Sequence, residues 1–347
     1  MTGDVLDEAY VRLAATAPEY RRGLSSHGPM AAEALVQLGR ADAVHGWLDR
    51  YMKQLDPAPM RRPAPPSEQP ALGRPDAFVD WQAWFTAALA ERDWLTVLGD
   101  WIEVLMPGLS AAAAHGWLRV AHVTHALRSG STPARLDELA SALAYWASCY
   151  ERLPDDPHPS GLLAPSAALL SVPAHPDPTS FLISDALRGL VDEPRFAPAV
   201  DAVDPTALSV TAIVDAVAPL AISGGLPIVY VHAITAPSAA LLVRGLVDAR
   251  TEARLTGYAW QTVAALVAAY PVSDRAGAAA DDAAAEAAEA ADEHDVAPGI
   301  DDLVERALEN GDEHAIKVVA AVAAAMHAGA SPVAARAAAV LVDGMRA

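Results

Sequence analysis

The chain has 347 residues, 53% of them hydrophobic but only 6% aromatic and 20% charged, so it can bury a core, one built from small side chains and closely packed helices. Asp and Glu outnumber Lys and Arg 44 to 24, a formal charge of −20, and that field repels phosphate backbones and argues against a nucleic-acid partner. A single cysteine, Cys149, excludes an intramolecular disulfide and a cysteine-rich zinc or iron–sulfur site.

The opening residues, MTGDVLDEAY, carry acids where an export signal has its basic and apolar segments, and the chain reads as cytoplasmic. Helical blocks are predicted from Val5 to Ala15, from Pro29 to Leu38 with the proline at a helix start, and from Ala43 to Met52, where Trp47 and Tyr51 share a face. Residues 57–75 are proline-rich and read as a long loop. Helical patterning resumes at Phe78 and continues to Leu105, breaks at Pro107-Gly108, and returns over Ser110–Arg128 and Ala134–Cys149. Pro154 to Pro178 reads as irregular, followed by helices over Phe181–Val191 and Ala207–Val217.

The uncharged stretch Ala216–Val243 is long enough to raise a membrane question, but its prolines, glycines and histidine fit a buried, broken segment of a non-membrane protein. Val229, Tyr230 and Val231 alone would suit a strand; with the Ala-rich continuation Ser238–Ala253 the reading is a buried helix broken near Pro237. Residues 274–295 form an acidic, Ala-rich insertion with nothing large to pack. Helices close the chain over Ile300–Glu309, Glu313–His327 and Pro332–Val342, the last with Ser331 as cap. The expectation is a single all-α, multi-helical domain over residues 1–347.

No glycine-rich dinucleotide fingerprint and no P-loop is present, so the chemistry has to come from the 11 histidines. His27 sits in SSHGPM just outside a helix start, where it can be fixed as a ligand or simply satisfy a turn carbonyl. His115, His122 and His125 lie in AAAAHGWLRVAHVTHALR. His115 and His122 are two turns apart, about 10 Å of rise, too far for both to bind one metal through short side chains. The alanines and Gly116 beside His115 imply a tight helix approach and make it the better buried ligand, while His122 suits a substrate-facing role or a core hydrogen bond. His232 is embedded in PIVYVHAITAPSAAL, where a buried imidazole needs either a metal or a hydrogen bond. In GDEHAIKVVAAVAAAMH, His314 and Lys317 are three apart on one face. A buried lysine favours its neutral amine, which can take up carbon dioxide to give an anionic carbamate; the alternative is a lysine that reaches the surface or pairs with Asp312 or Glu313. His45, His158, His175, His294 and His327 read as structural or solvent-exposed.

The segments SSHGPMAAEALVQLG with WLDRY, GLSAAAAHGWLRVAHVTHALR, VHAITAPSAA and GDEHAIK, in that order from about residue 20 to residue 320, resemble the questin oxidase-like family, enzymes of fungal polyketide pathways with bacterial relatives. The resemblance implies an all-helical oxidoreductase that opens a ring of an anthraquinone-like substrate with dioxygen, described as a Baeyer–Villiger-type or a dioxygenase cleavage. It also implies a non-haem Fe(II) held by His27, His115, His232, His314 and a carboxylated Lys317, with His122 orienting substrate or moving a proton. Tyr230, Arg119 and Trp117 are weaker candidates for the pocket. The family's histidine after the TxP turn is Ser238 here, which is not expected to be a ligand. NADPH is assigned to some family reactions; nothing in this sequence binds it recognisably, so it would serve a separate reductase or a prior reduction of the substrate. Two other readings stand beside this one: a metal-dependent hydrolase with a carboxylated lysine, and a non-catalytic helical protein whose histidines pack.

Overall fold

The computed structural model describes residues 4–62, 64–177, 179–272 and 297–345, so the acidic stretch 274–295 lies outside the described residues. The architecture is all-α. Where the sequence was read as one domain, the described residues fall into two compact units. Unit one comprises Met1–Arg152 and Leu242–Leu255, and unit two Leu153–Leu241 and Thr256–Ala347.

Unit one contains α1 (Val5–Leu13), α2 (Gly28–Gln37), α3 (Val44–Tyr51), α4 (Phe78–Glu91), α5 (Trp94–Leu105), α6 (His115–Leu127) and α7 (Pro133–Ser148). Helix α7 packs on α4 and α6, and α2 packs on α1, α3 and α6. Trp81, Trp117 and Trp146 are fully buried there, and the Trp146 indole donates to the Gly108 carbonyl at 2.9 Å. A two-residue hairpin, β1 (Glu19–Tyr20) and β2 (Leu24–Ser25), joins α1 to α2. The Pro-rich segment from Pro57 to Arg74 has no helix among its described residues.

Two expected helices of unit one are interrupted. Arg92 adopts an extended conformation between α4 and α5, because Asp93 caps α5 by accepting from the Leu95 amide. The run Ala111–Ala114, expected to open a helix from Ser110, is instead a short turn in which Ala112, Ala113 and Ala114 have φ of 48°, 55° and 67°. Helix α6 starts only at His115. One residue on, Gly116 lies so close to α7 that a Cβ would come within 2.7 Å of Trp146 Cα. No other residue type fits that crossing without moving backbone.

Unit two is built around α11 (Val210–Ile222), which packs on α8 (Pro165–Ser171), α15 (Glu313–His327) and α16 (Val333–Gly344), with α14 (Ile300–Asn310) against α15 and α16. It also holds α9 (Ile183–Arg188), α10 (Phe196–Asp201) and most of α12 (Pro227–Val243) and α13 (Ala249–Ala269). The short α8, with a proline at its start, lies in the stretch read as irregular, and α10 fell outside the sequence-based helices. Helix α12 runs through Pro237 without the expected break, and the chain turns instead at Gly245, whose φ is +76°. Pro332 stands just before α16 rather than as its first residue. Among the described residues no helix is long and apolar enough to cross a membrane.

Candidate metal-binding histidines

In unit one the β1–β2 hairpin and the α2 start deliver His27. Its amide donates to the Tyr51 hydroxyl at 2.7 Å, and Tyr51 is itself stacked on Trp47 one turn back in α3. The left-handed alanine turn delivers His115. Its Nδ1 lies 2.5 Å from the Ala112 carbonyl, a group that can only accept, so Nδ1 carries the proton and Nε2 presents a lone pair. That Nε2 lies 2.6 Å from Nε2 of His27, with the two rings at 84°. Two imidazole nitrogens facing each other so closely must have a proton or a cation between them. Ligands about 2.0–2.1 Å from one metal and at right angles would sit about 2.9 Å apart. Both rings are buried.

Unit two repeats the pattern. His232 is 2% exposed on α12, and its Nδ1 lies 2.6 Å from the Ile228 carbonyl one turn back, so again Nδ1 carries the proton and Nε2 the lone pair. His314 opens α15, where Asp312 caps the helix by accepting from the His314 amide at 2.7 Å and also accepts from His314 Nδ1 at 3.0 Å. The rings of His232 and His314 are 5.6 Å apart, and each offers a ligand nitrogen within 4.8 Å of the other. Burial, followed by the nearby Lys317 and His314, holds the His232 imidazole well below its ordinary titration range, hence neutral and able to ligate. Lys317 follows one turn after His314 and is 1% exposed; its Nζ has no hydrogen-bond partner among the described residues. Burial lowers its amine to about 7 against the partial support of Glu313 and Asp312. A neutral, reactive amine is available there near neutral pH.

Histidines able to coordinate a metal ion are therefore present, His27, His115 and His232 buried and His314 nearly so, with Nδ1 of His115, His232 and His314 locked onto an oxygen acceptor. This is the arrangement that orients metal-ligating imidazoles in general. Ser238 is buried and its hydroxyl donates to the Ile234 carbonyl at 2.8 Å.

The other residues singled out in the sequence sit as follows. His122 places Nδ1 2.6 Å from Glu33 Oε2, and His125 places Nδ1 2.6 Å from Glu33 Oε1. Arg119 makes a bidentate pair with Glu138 at 2.7 and 2.8 Å and a third bond to Ser141. It lines, with Tyr10, Ser26, Phe78, Gln82 and others, a cleft of about 480 Å³ counting the solvent at its mouth. Trp117 packs against Trp146. Tyr230 is fully buried, its ring so close to Gly225 that a Cβ there would overlap it. His45 pairs with Glu8 at the surface, His158 is exposed, and His294 lies outside the described residues. Glu33 escaped the sequence reading: it sits in an Ala-rich helix with nothing nearby to mark it, and its partners are 89 and 92 residues away.

No family model matches this sequence, and no curated protein matches it either.

Proposed function

We propose that the protein is a mononuclear non-haem iron oxygenase acting on an aromatic, anthraquinone-like or other polycyclic metabolite, with His27, His115, His232, His314 and Lys317 as the metal ligands. The observation that carries this reading is the shared tautomer of His115, His232 and His314. Each has its Nδ1 proton committed to an oxygen, which turns Nε2 into the ring atom able to ligate a cation. Nitrogen ligands suit iron, and five protein ligands would leave one position of an octahedron open. Bound Fe(II) would supply the electrons that activate dioxygen for cleavage of a ring carbon–carbon bond.

The protein's own residues do the rest. The Ala112 and Ile228 carbonyls and the Asp312 carboxylate hold three imidazoles in one tautomer. The Lys317 amine in its neutral form would attack carbon dioxide, the nitrogen–carbon bond forming as one carbon–oxygen π pair moves onto oxygen and the nitrogen's proton passes to solvent; the carbamate would offer a metal an anionic oxygen. A reduced nicotinamide, where needed, would act through a separate reductase.

Metal analysis of protein purified without chelators tests the reading. About one iron per chain is expected, lost in both His232→Ala and Lys317→Ala; no metal in fresh protein together with no uptake of added Fe(II) sinks it. The carboxylates of Asp312 and Glu313, which with His314 bring ligand atoms within 4.8 Å of one another, favour a second reading as a metal-dependent hydrolase. Two metals per chain would select that reading instead.

A further inference from the structure

Unit one holds a buried acid–base cluster that lies outside the proposed set of metal ligands. Glu33 on α2 is 3% exposed at its side chain, His122 on α6 is 9% exposed, and His125, one turn further along α6, is 35% exposed. Each carboxylate oxygen accepts from one imidazole Nδ1 at 2.6 Å, so a single carboxylate bridges an enclosed imidazole and one that reaches solvent.

Charge accounting around the cluster leaves Glu33 without a permanent cation. Arg119 is taken by Glu138, and Arg135, which α7 brings near, is taken by Asp4 and Asp7 of the α1 end. Tyr10 faces Glu33 from α1, but burial pushes its hydroxyl well up, so it stays neutral. From α3, His45 and Asp49 are engaged at the surface by Glu8 and Arg12. A carboxylate in this position must have a positive partner or lose its charge. Burial raises the Glu33 carboxyl, but the bonds from His122 and His125 more than offset it and bring it below its ordinary range, so Glu33 keeps its charge.

We propose that Glu33, His122 and His125 form a proton-exchange unit in which one imidazolium accompanies the one buried carboxylate and can reside on either ring. When His122 gives its Nε2 proton to an oxygen base on the inside, such as water or a bound oxyanion, the cluster is left one charge negative. His125 then takes a proton from solvent on its own Nε2 and restores neutrality. Both protons stay on Nδ1 throughout, each donated to its carboxylate oxygen, so the coupling is electrostatic and no proton crosses Glu33. The reverse sequence makes His122 a base on the inside with release at His125. The unit couples enclosed proton transfer to the exterior whether or not a metal is bound.

The test is long-range proton–nitrogen spectroscopy of the full chain labelled with ¹⁵N-histidine, from about pH 4 to about pH 9. Over a broad window the two rings together should hold one proton, with the second added in a separate, more acidic step. In His125→Gln that first proton should pass entirely to His122, and in Glu33→Gln the window in which the two rings share one proton should disappear. His125 reaches the surface, so His125→Gln remains decisive if Glu33→Gln fails to fold. Two rings that each titrate in one full step, indifferent to replacement of the other, overturn the proposal, as does a His122 that stays neutral throughout in His125→Gln.

Discussion

Lys317 is the residue whose setting has the most direct energetic consequence. Its amine is held at about 7 against an ordinary 10.5, so the folded chain binds this proton more weakly than the unfolded chain does. Stability of the metal-free, carbonate-free protein therefore rises with pH between about 7 and about 10, and the cost of the buried ammonium is fully felt below 7. Replacing Lys317 by Met should raise the urea midpoint of that protein, by about 1–3 kcal/mol in stability near neutral pH, and flatten its pH dependence relative to wild type. Equal pH profiles for the two proteins would show that the amine escapes its burial. The spacing of His314 and Lys317 was readable because both lie on one helix turn; the Glu33 bridge was not, since nothing local distinguishes a glutamate that faces inward from one that faces water. The partner of His122 is likewise set by the packing of α2 on α6 and leaves no local mark.

At the level of elements, the left-handed turn Ala112–Ala114 is the feature that local preference least anticipates. Alanine is the strongest helix former, and four in a row before His115 read as helix. The chain instead accepts about 1–2 kcal/mol per left-handed residue, and the Ala112 carbonyl so placed holds the His115 ring. Ala113→Gly should be neutral to stabilising by up to about 1 kcal/mol, whereas Ala113→Val should destabilise by more than that. The opposite order in denaturant midpoints would mean that the turn is not strained. Gly116→Leu should be far more damaging, because its side chain would enter the Trp146 backbone, and loss of about 3 kcal/mol or more is expected in thermal unfolding. The helix Glu313–His327, by contrast, was legible to the residue, since Asp312 both caps it and marks its start. Boundaries failed at Arg92, where the Asp93 cap of α5 stood inside a continuous apolar pattern, and at Gly245, where Pro237 was the louder signal.

Across the whole molecule the net charge of −20 leaves the folded chain repelling itself. Raising salt from about 0.01 M to about 0.1 M shortens the screening length from about 30 Å to about 10 Å and should raise the denaturation midpoint. A fall would show that ion pairs such as Arg61–Asp137 outweigh the general repulsion. Composition announced the helical class and the small-residue core; it carried no sign that residues 242–255 group with the N-terminal part, because a return of the chain leaves no mark on hydropathy. The scarcity of lysine, finally, turns the enclosed amine of Lys317 into a clock. The chain has only two lysines, and Lys53 is exposed. Reductive methylation with isotope-labelled formaldehyde will modify Lys53 and any free terminal amine at once, and Lys317 only as fast as its surroundings open, so the label that arrives at Lys317 times that opening directly.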